Sequence, residues 1–203
     1  MNKIELEIIG LSSSQSQSGS FALVLGEKFG KRRLPIIIGM FEAQAIAIEL
    51  EEIKSSRPMT HDLFKDFILG YGIELLEIVI EDLKEGVFYA KIVSTNSGKT
   101  IEFDARPSDA IALGIRFGVP IYTTEAILEE SGITPSEFEE SEGDHSEEDD
   151  LEAVISQVDE IEESQEIEDF GINDLNEMLE KALQDENYEE AAKIRDEINK
   201  RTS

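Results

Sequence analysis

One stretch of the chain, residues 134–170, carries 17 acidic residues and no lysine or arginine. It contributes −17 to the formal net charge of −28. Like charges at this density repel one another and oppose collapse into a core, so we expect a disordered linker here. The sequence is therefore predicted to divide into a folded domain of residues 1–133, this acidic linker and a small C-terminal unit of residues 171–203.

The composition excludes several classes of protein. The chain contains no cysteine, which rules out a disulfide scaffold, a zinc–thiolate site and cysteine catalysis. No apolar run approaches the ~20 residues that a membrane-spanning helix needs. The first seven residues alternate between apolar and charged side chains and do not resemble a signal peptide. We therefore expect a cytoplasmic protein with no membrane partner.

The first 133 residues contain several strand patterns. Ile4, Leu6 and Ile8 alternate with charged residues, which is the period of a half-buried strand. Apolar runs on both sides of a glycine-bearing turn predict a hairpin of 21–25 with 33–38. Further strands are expected at 73–80, 87–93, 100–104 and 119–122, the first three as an antiparallel meander, and the Ser- and Gln-rich stretch 12–20 is expected to be a loop.

Helix patterns alternate with these strands. The spacing of apolar residues predicts an amphipathic helix from Met40 to Lys54. Thr60, Ser108 and Thr124 carry hydroxyls suited to capping a helix N-terminus, and each is expected to begin a further helix that ends near a glycine. Because the order of strands and helices follows no regular βαβ repeat, we expect an α+β fold with a mixed, largely antiparallel sheet and packed helices.

Two passages, Arg57–Asp62 and Asp104–Asp109, share a pattern of Arg-Pro, then a hydroxyl residue, then a carboxylate. Each alone is typical of a helix start, because the hydroxyl caps N–H groups, proline fixes the entry and the carboxylate complements the helix dipole. Together they also provide the groups that phosphodiester chemistry uses. Arginine or a metal neutralises the phosphate, a helix N-terminus donates N–H groups, and histidine or aspartate transfers the proton.

Several blocks of residues stand in a distinctive order and spacing over about residues 1–133. They are Leu34–Gly39 with Glu42 and Ala43, Arg57–Leu63, Phe88–Ala90, Asp104–Leu113 and Val119–Ile121. In these blocks the chain resembles the bifunctional nuclease family. The resemblance implies a compact α+β domain that self-associates, and nuclease (phosphodiesterase) activity on DNA and RNA. A non-catalytic, self-assembling adaptor or regulatory scaffold is the alternative.

The resemblance also implies roles for matching polar residues. His61, the only histidine of the predicted folded domain, would be the general acid or base, since its unperturbed pKa lies near ~6.5. Arg57 and Arg106 would hold the scissile phosphate, and Ser108 would contact the substrate. Alternatively, these residues brace the helices or stabilise an oligomer interface. Four carboxylates would orient the histidine or bind a divalent cation such as Mg²⁺ or Mn²⁺ through oxygen: Glu42, Asp62, Asp104 and Asp109.

The turn of the first predicted hairpin is the one basic concentration in the sequence. Lys28, Lys31, Arg32 and Arg33 are candidates for contacts with a nucleic-acid backbone. The alternative, which we favour slightly, is a solvated turn that protects an edge strand from aggregation, because no aromatic stacking platform accompanies these charges.

The C-terminal unit is predicted to be a helical hairpin of 172–185 and 188–200. Asn187 can cap the second helix, with Glu190 three residues later. The run Asn187–Ile198, preceded by Leu175 and Leu179, resembles the UVR motif, a helical hairpin known as a protein–protein contact module. A hairpin of this size buries little core alone, so we expect it to bind a protein partner.

Overall fold

The computed structural model describes residues 3–13, 20–135 and five single positions, 175, 179, 194, 195 and 198. Its first part is the predicted α+β domain, with seven strands in one sheet. The strands are β1 (Lys3–Ser13), β2 (Ser20–Glu27), β3 (Arg33–Gly39), β4 (Glu74–Lys84), β5 (Val87–Asn96), β6 (Lys99–Ala105) and β7 (Ile121–Thr124). The helices are α1 (Met40–Leu50), α2 (Thr60–Gly70), α3 (Pro107–Phe117) and α4 (Glu125–Ser131).

The strand order is β3-β2-β1-β7-β4-β5-β6. Every neighbouring pair is antiparallel except β4 with β7, so the sheet is mixed and largely antiparallel, as predicted. The hairpin of β2 with β3 and the meander of β4, β5 and β6 are both confirmed. The short β7 lies between β1 and β4 and joins the two halves into one sheet.

The predicted loop over 12–20 is partly wrong. Ser12 and Ser13 extend β1 and pair with Ala22 and Phe21 of β2, and Ser20 begins β2. Ladder hydrogen bonds satisfy the backbone whatever the side chain, and they outweigh the low strand propensity of serine here. Residues 14–19 lie outside the described part of the chain.

Helices α1 and α3 pack on each other, and α3 also packs on β4 and β5. Their contact surface is apolar, with Ile46, Ile78 and Ile111 fully buried. Gly114 lets α3 approach the sheet closely, because a Cβ atom added there would lie 2.7 Å from Cγ1 of Ile78. This contact fixes the position of α3, and hence of the residues at its N-terminus.

Replacing Ile78 by alanine is expected to lower the free energy of unfolding by about 2–5 kcal/mol, because it removes buried carbon atoms and leaves a cavity beneath Gly114. Urea denaturation at fixed protein concentration measures the change. The double variant Ile78→Ala/Gly114→Ala is the control, since the added methyl group partly refills the space. Strictly additive losses in the double variant would contradict this packing.

Two predicted helix caps are wrong by one or two residues. Met59, not Thr60, is the N-cap of α2, and its N–H donates to Oδ2 of Asp62 at 2.9 Å. Arg106, not Ser108, is the N-cap of α3, because Pro107 takes the first helical position, where its missing N–H costs nothing. The predicted cap of α4 is confirmed, since Oγ1 of Thr124 accepts from the N–H of Ile127 at 3.4 Å.

Helix α1 ends at Leu50, four residues before the predicted end. Glu49, Glu51 and Glu52 place negative charge at the C-terminal end of the helix, where the helix dipole already carries partial negative charge. Glu52 then adopts a positive φ of 54°, which takes the chain out of the helix. Negative charge at the C-terminal end of α1 therefore ends the helix at Leu50, although the apolar spacing continues to Ile53.

Beyond its first two residues, the predicted linker over 134–170 lies outside the described part of the chain, as does most of the predicted hairpin. Of that hairpin, Leu175 and Ile194 are helical and fully buried in a small cluster. Leu179 and Ile198, also helical, pack against the cluster. Every helix in the described part of the chain is too short or too polar to span a bilayer.

Candidate active site at three helix starts

The first turns of α1, α2 and α3 carry most of the predicted site residues. Glu42 lies in the first turn of α1, His61 and Asp62 in the first turn of α2, and Asp109 in the first turn of α3, whose N-cap is Arg106. Carboxylates at these positions are favourable because they complement the positive ends of the helix dipoles. The same local preference therefore places several acidic groups at the starts of helices that pack together.

Arg106 connects two of these helix starts. Its Nε donates to Oδ2 of Asp109 at 2.6 Å, its Nη2 donates to Oδ1 of Asp109 at 3.0 Å, and its Nη1 donates to Oε1 of Glu42 at 2.8 Å. Hydrogen bonds to Asp109 and then to Glu42 raise the pKa of Arg106, which stays charged. The side chain nevertheless remains 64% exposed, so the guanidinium is both fixed in place and open to solvent.

His61 joins the same group through Asp109. Its Nε2 lies 3.7 Å from Oδ1 of Asp109, and its side chain is only 19% exposed. Burial lowers the pKa of His61 below the ordinary 6.5, with a further lowering from Arg116, and these effects outweigh the opposing influence of Asp109 and Asp62. The imidazole is therefore mostly neutral at pH 7, the form that accepts a proton. We call His61, Asp109, Arg106 and Glu42 the four-residue cluster.

Asp62 points away from this cluster. Its Oδ1 accepts a 2.7 Å hydrogen bond from Nε of Arg116, and its Oδ2 accepts from the N–H of Met59. Burial raises the pKa of Asp62, but these hydrogen bonds outweigh it and the pKa falls below its ordinary value. Asp62 is thus an ionised carboxylate that is bound to α3 through Arg116.

Arg57 and Asp104 are not part of the cluster. Both side chains are exposed, Arg57 in the loop before α2 and Asp104 on β6, two residues before Arg106. Within the described ranges, neither makes a hydrogen bond or ion pair with a cluster residue. Four of the predicted site residues, His61, Asp109, Arg106 and Glu42, are thus joined by direct contacts, and Arg57 and Asp104 lie outside this group.

The basic turn lies elsewhere. Arg33 begins β3 and Gly39 ends it, so the extended strand separates the turn from α1 by ~20 Å. Arg32 is held by Glu27 and Glu125, and Lys28 by Glu5. Lys31 is exposed at the same turn. Carboxylates thus neutralise much of the positive charge here, which agrees with the interpretation as a solvated turn.

Two cavities adjoin the cluster. One of about 350 Å³ is lined by Glu42, Arg106, Ser108 and parts of β3. The other, of about 590 Å³, is almost entirely apolar and has His61 and Asp109 at its edge. Ser108 is buried in the first turn of α3, at the wall of the smaller cavity. The four-residue cluster is therefore bordered by a cavity on each of two sides.

The acidic side chains do not form a metal-ligand set. Glu42 and Asp109 both bind Arg106, and Asp62 binds Arg116. Within residues 3–13 and 20–135 and the five single positions, no group of three or more His, Asp or Glu side chains is placed to hold a metal ion. The residues present do not fit the expected divalent cation, and no step below is routed through one.

Sequence reasoning missed Arg116. Its side chain lies between α1, α2 and α3 and is only 1% exposed. The available signal was a single arginine between apolar residues in the helix pattern Ala110–Phe117. An arginine in the last turn of a helix is normally a dipole partner at the surface, so the pattern alone does not indicate burial.

Comparison with known proteins identifies the family of this domain. The family model of the bifunctional nuclease domain matches residues 23–136, more than half of the chain. The chain therefore belongs to the bifunctional nuclease domain family. The UvrB/uvrC (UVR) motif matches residues 172–200, where the helical hairpin was predicted.

The relatives come from bacteria and plants. An uncharacterized protein of Mycobacterium tuberculosis is 43% identical over 137 residues, which cover 67% of this chain and 81% of that protein. Bifunctional nuclease 1 of Oryza sativa subsp. japonica is 29% identical over 114 residues, 51% of this chain and 34% of its own length. Bifunctional nuclease 1 of Arabidopsis thaliana is 24% identical over 169 residues, 81% of this chain and 51% of its own length.

Proposed function

We propose that the chain is a nuclease that hydrolyses phosphodiester bonds of DNA and RNA at the four-residue cluster. The observation that supports this most is the position of Asp109, whose carboxylate binds Arg106 at 2.6 Å and lies 3.7 Å from His61. A fixed, exposed cation and a mostly neutral histidine thus share one carboxylate. Phosphodiester hydrolysis uses a cation that stabilises the charge on the phosphate and, beside it, a base that accepts a proton from water.

In the proposed reaction, Arg106 binds the phosphate. Three of its five N–H groups are used by Asp109 and Glu42, which leaves two for phosphate oxygens. A water oxygen attacks phosphorus, one water proton passes to His61, the bond from phosphorus to the leaving oxygen breaks, and the leaving oxygen takes a proton from solvent water. Asp109 orients the imidazole and stabilises the imidazolium that forms. Arg57 is proposed as a second, more distant phosphate contact, and Asp104 as a substrate contact.

The helix starts support anion binding at the same place. Neither α1 nor α3 has a side-chain hydrogen bond at its N-cap. No N-cap side chain therefore covers these two helix starts, and the positive ends of the helix dipoles favour a phosphate oxygen there. At Gly39 the Glu42 carboxylate occupies the space that a Cβ atom would fill, which favours glycine before α1.

The cleavage rate is expected to increase with pH and to level off above the pKa of His61, which lies below 6.5. The reason is that burial lowers the pKa of His61, and only neutral imidazole accepts the proton of water. The rate constant, measured from pH 4.5 to 8 at constant ionic strength, gives the profile. If the rate instead falls with rising pH across this range, His61 acts as an acid and the proposed role is wrong.

The proposed activity is tested on the purified full chain with end-labelled single-stranded DNA and RNA, in Mg²⁺, Mn²⁺ or EDTA. Equal cleavage in all three conditions is expected from the residues described. Cleavage that needs Mg²⁺ or Mn²⁺ would show that the ion completes the site together with the substrate. An absence of cleavage in all three conditions would favour a binding role.

A non-catalytic, self-assembling scaffold is the second candidate. Helix α2 buries only Ile68, while Leu63, Phe64, Phe67 and Tyr71 remain between 46% and 68% exposed. Apolar area of this kind is typical of a surface that binds protein. We infer that the domain forms a homo-oligomer through this face. Such an oligomer is compatible with either function. Light scattering of the variant Phe67→Asp, compared with wild type, tests the inference.

The remaining sequence predictions concern the other parts of the chain. We infer that the UVR hairpin of 171–203 binds a protein partner and that the acidic linker of 134–170 tethers it to the domain of 1–133. Limited proteolysis that cuts first within 134–170 supports this division. The cytoplasmic location and the contact of Lys31, Arg32 and Arg33 with nucleic acid stay predictions.

A further inference from the structure

Arg116 is the most deeply buried charged side chain among the described residues, with 1% of the side chain exposed. A guanidinium without water must have hydrogen-bond partners, and losing one leaves a costly unpaired charge. No step of the proposed reaction uses Arg116, so its burial needs another reason.

The partners of Arg116 come from three helices. Its Nη1 donates to the carbonyl oxygens of Ala45 in α1 and Ala112 in α3, both at 2.9 Å. Its Nε donates to Oδ1 of Asp62 in α2 at 2.7 Å, with Glu49 of α1 at 3.8 Å. One side chain thus connects the three helices whose first turns carry the candidate active site.

For α2 this connection is especially important. Only Ile68 of the eleven residues of α2 is buried, so apolar packing holds this helix weakly. Asp62 binds Arg116 at the first turn, and Nζ of Lys65 donates to the backbone oxygen of Arg116 at 2.6 Å. Polar contacts with the C-terminal part of α3 therefore fix the start of α2.

We propose that Arg116 is a positioning residue that holds Asp62, and through it the start of α2, so that the His61 imidazole faces Asp109 and Arg106. The proposal rests on the proposed function of His61 as proton acceptor. Because His61 precedes Asp62 directly, fixing one carboxylate fixes the backbone that carries the imidazole. A misplacement of ~1 Å at such a site is enough to lower a rate by ~100-fold.

The charges around His61 give a readout that does not depend on cleavage. Asp62 lies on its own helix, Asp109 on α3, and Arg116 faces it from α3. Loss of Arg116 removes a positive charge near the imidazole and loosens α2, which exposes the imidazole to water. Both effects raise the pKa of His61 toward its ordinary value.

The experiment compares four variants of the full chain with wild type. Arg116→Met and Asp62→Ala cut the connection, Asp62→Asn keeps an oxygen that accepts from Arg116, and Glu49→Gln alters the more distant partner on α1. The chain has two histidines, so an NMR titration with His145→Ala as assignment control gives the pKa of His61. Cleavage rates and circular dichroism are recorded on the same samples.

We expect Arg116→Met to raise the pKa of His61. Arg116→Met and Asp62→Ala should each lower cleavage by about 10–100-fold, Asp62→Asn should lower it less than Asp62→Ala, and Glu49→Gln should stay within about threefold of wild type. Higher cleavage in Asp62→Asn than in Asp62→Ala separates positioning from a catalytic need for the charge. If Arg116→Met fails to fold, the two Asp62 variants decide: equal cleavage in both overturns the proposal.

Failure of the proposed function is distinguishable from failure of this inference. If wild type does not cleave nucleic acid, the titration still tests the connection. A folded Arg116→Met with the wild-type pKa of His61 overturns the positioning role. Because loss of the Arg116 charge alone raises this pKa, the two Asp62 variants, which lose the same charge, give the decisive comparison. A higher pKa of His61 in Asp62→Ala than in Asp62→Asn supports positioning whatever the reaction, and equal values overturn it.

Discussion

Replacing His61 by alanine is expected to lower the rate of phosphodiester cleavage by about 10²–10⁴-fold, the usual contribution of a positioned general base. The imidazole is 19% exposed, lies 3.7 Å from Asp109 and has a pKa lowered by burial. After this substitution, the four-residue cluster has no neutral imidazole beside Arg106 to accept the proton of water. Single-turnover cleavage of labelled single-stranded DNA and RNA measures the loss.

The matched control is His145→Ala, which removes the second histidine of the chain from the acidic stretch. It should cleave at the wild-type rate. The free energy of unfolding of both variants is measured in urea, so that loss of fold is separated from loss of catalysis. Equal cleavage by His61→Ala and wild type would exclude proton transfer by His61.

Replacing Arg106 by alanine is expected to lower the rate by about 10²–10³-fold, as for removal of one group that stabilises transition-state charge. The change also leaves Glu42 and Asp109 without their shared cation, so negative charge would face the incoming phosphate. Arg106→Lys keeps the charge but not the planar set of donors, and should recover only part of the rate. Cleavage and filter binding on the same substrate separate kcat from affinity.

Lys99→Ala is the control for loss of one positive charge, because Lys99 is exposed at the first position of β6. Its cleavage should remain close to wild type. A similar loss in Lys99→Ala and Arg106→Ala would indicate a general electrostatic effect rather than a specific phosphate contact.

The parts of the fold that depend on neighbouring residues could be predicted from the sequence. The hairpin of β2 with β3 and the meander of β4 to β6 follow from apolar runs separated by glycine-bearing turns. The cap at Thr124 follows from one hydroxyl at a helix start. These features are local, so the pattern contains the information that determines them.

Features that depend on distant residues could not be predicted. The position of β7 is determined by pairing with β1 across more than a hundred residues of chain and with β4 across 43 residues, from Ile78 to Ile121. The burial of Arg116 depends on carbonyl oxygens of Ala45 and Ala112 and on the Asp62 carboxylate. Nothing in the sequence near residue 116 specifies those partners.

The site was predictable in part for the same reason. The two Arg-Pro passages mark helix starts, which brought His61, Arg106 and Asp109 into one hypothesis with Glu42. Whether the carboxylates face a metal, the histidine or an arginine depends on tertiary contacts. The structure shows two of them on Arg106 and a third, Asp62, on Arg116.

A double-mutant comparison shows whether His61 and Arg106 act in one active site. Wild type, His61→Ala, Arg106→Ala and the double variant are assayed side by side on the same labelled single-stranded DNA and RNA. Residues that act as one catalytic unit show non-additive losses. We expect the double variant to lose about as much activity as the worse single variant. Identical cleavage by all four proteins would contradict this expectation, because the activity would then arise outside this cluster.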